Sequence, residues 1–217
     1  MMQSTSKIHL DVLDKRRQIL LEKLLPLARD ENFILGGGTA LSLQIAHRKS
    51  FDFDFFSQWE IKKNILEKIH KAVSIANVSV DSHDELTFFT NQEIKVTLLY
   101  YPFGHAFEIV ETEGGLKLFS PTDIAIKKAY TIGRRGEYRD YFDLYVVLKA
   151  NLISLTELIS KAKKIYKSIF EEKIFLEQLV YFEDLLDFDI VPVDSKPQPK
   201  PEEVKKFFEK QVKQYLL

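Results

Sequence analysis

Residues 35–56, LGGGTALSLQIAHRKSFDFDFF, constrain the fold more than any other stretch of the chain. The apolar run Phe33-Ile34-Leu35 followed by three glycines predicts a short buried strand entering a tight turn. Thr39 to His47 then reads as a helix, with Leu41, Leu43 and Ile45 inward. Phe51 to Phe56 alternates aromatic and acidic residues, the period of a strand. Side chains at i and i+2 share a face, so Asp52 and Asp54 are expected to present two carboxylates together. Two hard oxygen donors suit a magnesium ion carrying a nucleoside triphosphate. Gly36, Gly37, Gly38 and Thr39, opening a helix, offer backbone N–H groups and a positive dipole end to its phosphates. Arg48, or a base from the second half, is a candidate to offset charge on a leaving pyrophosphate. Ser50 is a candidate to hydrogen-bond the acidic strand.

Around this stretch the pattern is mixed and then purely helical. Residues 7–29 show helical spacing of Ile8, Val12, Ile19, Leu20, Leu24 and Leu27, and Pro26 is expected to end or kink that helix. Lys62 to Val73 reads as a surface helix. Val78 to Val80, Leu86 to Thr90 and Ile94 to Tyr101 read as strands, the last two joined by a turn at Asn91-Gln92. Leu116 to Phe119 reads as a further strand. Helices are expected from Ser120 to about Ile132, then over 137–150, 156–170 and 172–187. Val191 to Pro201 holds four of the seven prolines and reads as an extended linker, and Glu202 to Leu216 as a docked amphipathic helix. The expected fold class is thus α+β: a mixed sheet with flanking helices over 1–119, then a helical half over 120–217.

Composition bounds function by exclusion. With 31 basic and 32 acidic residues and a net charge of -1, the chain is not one that coats nucleic acid by bulk charge, although a local basic patch is compatible with it. The absence of cysteine excludes disulfides, zinc–thiolate sites and thiol nucleophiles, and fits a reducing cytoplasm. No apolar run approaches the length of a membrane span, and the N-terminus lacks the apolar core of a signal peptide.

A glycine triplet alone is weak, and so is a lone Asp-x-Asp. Their ordered combination is more specific, and GGTALSLQIAHRKSFDFDFF resembles the first signature of the AbiEii/AbiGii toxin family of nucleotidyltransferases. The segment SPTDIAIKKAYTIGRRGEYRDYFDLYVVL resembles the second. The resemblance covers roughly residues 7–150 and implies the nucleotidyltransferase fold shared with DNA polymerase β. By position it implies that Gly37, Gly38 and Thr39 hold phosphate and that Asp52 and Asp54 bind the metal, Mg²⁺ or Mn²⁺. Lys128 would contact nucleotide phosphate, and Asp140 and Asp143 match the last acidic pair. Arg135 and Arg139 sit where the family is basic. The residues expected to take part in catalysis are Asp52, Asp54, Lys128 and Asp143. Those expected to bind the nucleotide are Gly37, Gly38, Thr39, Arg48, Ser50, Lys128, Arg135 and Asp140. The implied activity is nucleotidyl transfer from an NTP to an acceptor such as RNA, including the tRNA end. The implied partner is an antitoxin protein.

One departure stands out. The polymerase-β-like fold often carries a third carboxylate on a later strand, and here that position falls at Thr97. Either one metal suffices, or Glu93 or Glu108 serves instead, or the chain binds nucleotide without transferring it. A transferase acting on a small molecule is a further alternative. Plainer readings run beside each motif: a strand–helix turn for Gly36 to Gly38, solvated strand positions for Asp52 and Asp54, helix salt bridges with Arg135 or Arg139 for Asp140 and Asp143, a structural His47, and a surface Lys127 beside Lys128.

Overall fold

The computed structural model describes residues 8–107, 109–132, 134–185, 187–194 and 197–217. The chain divides into two compact units. One comprises Met1–Gly104 and Glu108–Ser120; the other comprises His105–Phe107 and Pro121–Leu217.

The first unit opens with a 3₁₀ turn at Leu10–Val12 and helix α1, Lys15–Asp30. The helix expected from residue 7 therefore begins later; residue 7 itself lies outside the described residues. Asp14 sets the start, its carboxylate accepting the Arg17 N–H at 3.0 Å. Pro26 lies inside α1 without ending it. An interior proline costs about 3 kcal/mol, but Leu24 and Ala28 are buried on either side of it. Each fully buried leucine returns about 1.5–3 kcal/mol, so the stripe carries the helix through.

Strand β1, Ile34–Leu35, leads into α2, Gly37–Ile45. Strand β2 follows as Phe53–Ser57 and α3 as Ile65–Ala72. Strands β3, β4 and β5 are Ile75–Asp81, Glu85–Thr90 and Lys95–Tyr100. Val110–Glu111 forms β6, unforeseen in the sequence, and Lys117–Leu118 forms β7. The strands make one mixed sheet in the order β3-β4-β5-β2-β1-β7-β6, with β2 parallel to β5, β1 parallel to β7 and the other neighbours antiparallel.

The pleat decides which side chains meet. Phe55 pairs with Leu98 across β2 and β5. Both line a small void with Leu24, Leu27 and Ala28 of α1 and Ile69 of α3. That face of the sheet is the core. The alternate residues, Asp54 and its partner Thr97, therefore occupy the opposite face.

The second unit is helical. Helix α4 spans Pro121–Thr131 with proline in its first turn, and α5 spans Tyr138–Lys149. Helix α6 is Leu155–Tyr166, extended by a 3₁₀ turn at Lys167–Ile169. It begins before the expected Thr156 because Ser154 caps it, accepting the Glu157 N–H at 3.1 Å. Helix α7, Glu172–Val180, ends seven residues early. There Phe182 leaves the helix to pack edge-on against Tyr141 at 5.2 Å, and Tyr141 Oη donates to the Gln178 carbonyl. Residues 191–194 and 197–200 carry no regular structure, and α8, Pro201–Tyr215, follows. Val204 and Phe208 are fully buried, and Phe207 packs edge-on against Tyr145, so α8 is docked by its apolar stripe. The segment His105–Phe107 belongs to this unit because the Asp123 carboxylate accepts the Ala106 and Phe107 N–H groups at 2.7 and 3.2 Å.

Candidate functional site

The glycine turn and the acidic strand meet within the first unit. Gly36 N–H donates to the Asp54 carbonyl at 2.8 Å, tying the turn to β2. Gly37 has φ +64°, the left-handed region, and a Cβ there would stand 2.5 Å from Asp54 Oδ2. Both facts require glycine: any side chain would strain the backbone and displace the carboxylate. Gly38 likewise lies under the Arg48 guanidinium, where an added Cβ would overlap it and stand 3.2 Å from Ser50 Oγ. Arg48 is buried, donating from Nη1 to the Lys49 carbonyl at 3.0 Å.

Thr39 locks the loop between turn and strand. Its hydroxyl donates to the Asp52 carbonyl and shares a hydrogen bond with Ser50 Oγ at 2.8 Å. The hydroxyl thus serves the acidic loop, and a phosphate contact from Thr39 falls to its backbone. Asp52 precedes β2 rather than lying in it, so the pleat fixes the direction of Asp54 alone. Both aspartates are half-buried. Two carboxylate groups, one pressed against a helix-opening glycine turn, are a donor set that fits a divalent cation also bound to phosphate oxygens. Among the described residues no three acidic or histidine side chains gather to form a metal-holding group of their own.

Beside Asp54 stands a row of hydroxyls. Thr97 on β5 pairs with Asp54, and Thr87 on β4 pairs with Thr97. Thr87 Oγ1 lies 3.4 Å from Thr97 Oγ1 and donates to Glu85 Oε1 at 2.6 Å. Both threonines are buried and Glu85 is half-exposed. Sequence reading missed Glu85 and Thr87, although their i, i+2 spacing in a strand was the available signal. Of the substitutes expected for the third carboxylate, Glu93 sits exposed in the β4–β5 turn at φ 59°, and Glu108 lies outside the described residues.

The second unit holds its own charged cluster. Lys128 Nζ lies 2.5 Å from Asp140 Oδ1 and 3.0 Å from Asp143 Oδ2. Arg135 grips Asp140 with two bonds, Nε to Oδ2 at 2.7 Å and Nη2 to Oδ1 at 2.9 Å, and Thr131 Oγ1 donates to Oδ2 at 3.2 Å. Asp140, Asp143 and Lys128 are all buried. Burial opposes ionisation of Asp140, but the Lys128 and Arg135 charges and their hydrogen bonds outweigh it and hold its carboxyl below the usual aspartate range. Arg139 pairs instead with Glu137 at 3.0 Å. Lys127, a candidate surface residue, has a buried ammonium nitrogen, and desolvation pushes its pKa well down against the pull of Asp123. His47 is half-buried at the end of α2.

Over 208 residues the chain is 34% identical to the uncharacterised protein aq_aa25 of Aquifex aeolicus (strain VF5), covering 94% of this chain and 98% of that one. Two crystal structures share the fold: a candidate nucleotidyltransferase from H. pylori, with TM-score 0.53, and JHP933 from Helicobacter pylori, with TM-score 0.51. Each is 18% identical and covers 94% of this chain, and 99% and 98% of their own chains respectively. Residues 18–114, which hold the glycine turn and both acidic residues, match the family model described as nucleotidyl transferase AbiEii toxin, type IV TA system. With the turn, the acids and the sheet order behind it, the chain belongs to the AbiEii family of nucleotidyl transferases.

Proposed function

We infer that the protein is a metal-dependent nucleotidyltransferase that moves a nucleotidyl group from a nucleoside triphosphate to an RNA acceptor, including the tRNA end. The observation that carries this reading is the close approach of Gly37 to the Asp54 carboxylate, where an added Cβ would stand 2.5 Å from Oδ2. It sets anion-binding amides against a cation-binding oxygen, the pairing a metal–triphosphate needs. Gly37, Gly38 and Thr39 hold the phosphates through their backbone, and buried Arg48 and Ser50 keep the turn in shape. Asp52 and Asp54 hold Mg²⁺ or Mn²⁺, which when bound supplies Lewis acidity at the phosphoryl oxygens. Lys128, set by Asp140 and Asp143, neutralises phosphate charge, with Arg135 beside it. By family, the cellular role is that of a bacterial cytoplasmic toxin in a toxin–antitoxin or abortive-infection system, relieved by an antitoxin protein.

A second reading is favoured by Thr97, which stands beside Asp54 where a third carboxylate would serve as base. On that reading the chain binds nucleotide without transferring it. Incubation with α-labelled nucleoside triphosphates, Mg²⁺ and total RNA separates the two. Label entering RNA, and lost in Asp52→Ala, supports transfer. Triphosphate binding with no labelled product supports the binding protein. Labelling of small-molecule hydroxyl acceptors alone moves the reading to a small-molecule transferase.

A further inference from the structure

We propose that the carboxylate absent at position 97 is replaced by a proton relay running from Thr97 through Thr87 to Glu85. The proposal rests on the nucleotidyltransferase reading and supplies its missing base. The parallel β2–β5 register sets Thr97 next to Asp54 on the face away from the core. The antiparallel β4–β5 register continues the row to Thr87, and Glu85 follows on the same strand and face. Hydrogen-bond direction is settled by chemistry. An ionised Glu85 can only accept, so the single Thr87 proton points to Glu85 at 2.6 Å. The lone pairs of Thr87 Oγ1 then face Thr97 Oγ1 at 3.4 Å, so that bond takes the Thr97 proton. The lone pairs of Thr97 are left to accept from a hydroxyl bound beside Asp54.

The step balances. The acceptor oxygen forms a bond to the α-phosphorus as the bond from that phosphorus to the bridging oxygen breaks, and pyrophosphate leaves with the electron pair. The acceptor proton moves to Thr97 Oγ1, the Thr97 proton to Thr87 Oγ1, and the Thr87 proton to Glu85 Oε1. Both threonines are buried, which keeps bulk water out of the row, while half-exposed Glu85 can release the proton to solvent. Neither threonine becomes an alkoxide, because each gives up one proton as it gains another.

The test measures the rate of label transfer from saturating α-labelled triphosphate to RNA, alongside triphosphate affinity. Glu85→Gln, Thr87→Val and Thr97→Val should each slow transfer by about 10²-fold or more, the usual contribution of a general base, with affinity unchanged. The Glu85→Gln/Thr87→Val double variant should be no slower than either single change, because the residues act as one unit. Thr97→Asp puts a base beside Asp54 and should restore transfer in the Glu85→Gln background. The multi-proton solvent deuterium effect of the wild type should shrink in Thr97→Asp. Wild-type transfer with Glu85→Gln equally fast overturns the relay alone. A wild-type chain that binds triphosphate yet labels nothing overturns the relay together with the reading beneath it.

Discussion

A Cβ on Gly37 would stand 2.5 Å from the Asp54 carboxylate, so a side chain at the turn and the acid would compete for one space. The glycine is demanded twice, by that distance and by its φ of +64°. The close approach joins the glycine turn to the acidic strand inside a single compact unit.

Gly37→Ala is therefore expected to damage the site more than the fold. The left-handed conformation costs a non-glycine residue about 1–2 kcal/mol. The displaced carboxylate should remove most metal-dependent triphosphate binding. Thermal denaturation should show a small decrease in Tm, while titration calorimetry with Mg²⁺ and triphosphate shows little heat. Binding at wild-type strength would refute the coupling of turn and acid.

Asp54→Asn keeps the size of the side chain and removes its charge. The fold should tolerate it, because Asp54 is half-buried and its backbone carbonyl, which holds Gly36, is untouched. Label transfer to RNA should fall by about 10²-fold or more, as expected for loss of several kcal/mol of metal-borne stabilisation. An unfolded variant by circular dichroism, or one with full activity, contradicts this.

Lys128→Ala should destabilise the second unit severely. It leaves Asp143, and the part of Asp140 not held by Arg135, as buried charge without its lysine. Breaking a buried pair in this way costs about 3–5 kcal/mol. Chemical denaturation should show an earlier transition than in Arg139→Ala, whose half-exposed pair with Glu137 is worth under about 1 kcal/mol.

Acid should act through the same cluster. The Asp140 carboxyl is held below its ordinary value of 3.8 in the folded chain. Its stabilisation is then fully present above that value and is lost as pH falls through the depressed one. Urea midpoints measured from pH 7 downward should drop below the ordinary aspartate value in the wild type. They should drop less in Asp140→Asn, which starts lower at neutral pH. Parallel curves would remove Asp140 from the acid response.

Phe208→Ala tests the docking of α8. Phe208 is fully buried and stacks edge-on with Tyr141 at 6.4 Å. Truncation of a buried phenylalanine costs about 3–5 kcal/mol. Limited proteolysis should then cut within 191–200 faster than in the wild type. Unchanged cleavage would show that the helix is held by other residues.

The sequence alone determined the mixed sheet, the helical half and the order of glycine turn and acidic strand, because each is written in short-range periodicity or in glycine and proline punctuation. Local pattern also marked Asp54 as facing away from the core, since Phe53 and Phe55 claim the apolar face. Tertiary structure alone decided what those residues touch. Only the β2–β5 and β4–β5 registers bring Thr97 beside Asp54 and Thr87 beside Thr97, and strand register is fixed by packing between segments distant in sequence. The same cause hid the pairing of Lys128 with Asp140 and Asp143 and the burial of Lys128, because the environment of a charge depends on what packs around it, which spacing along one helix does not specify.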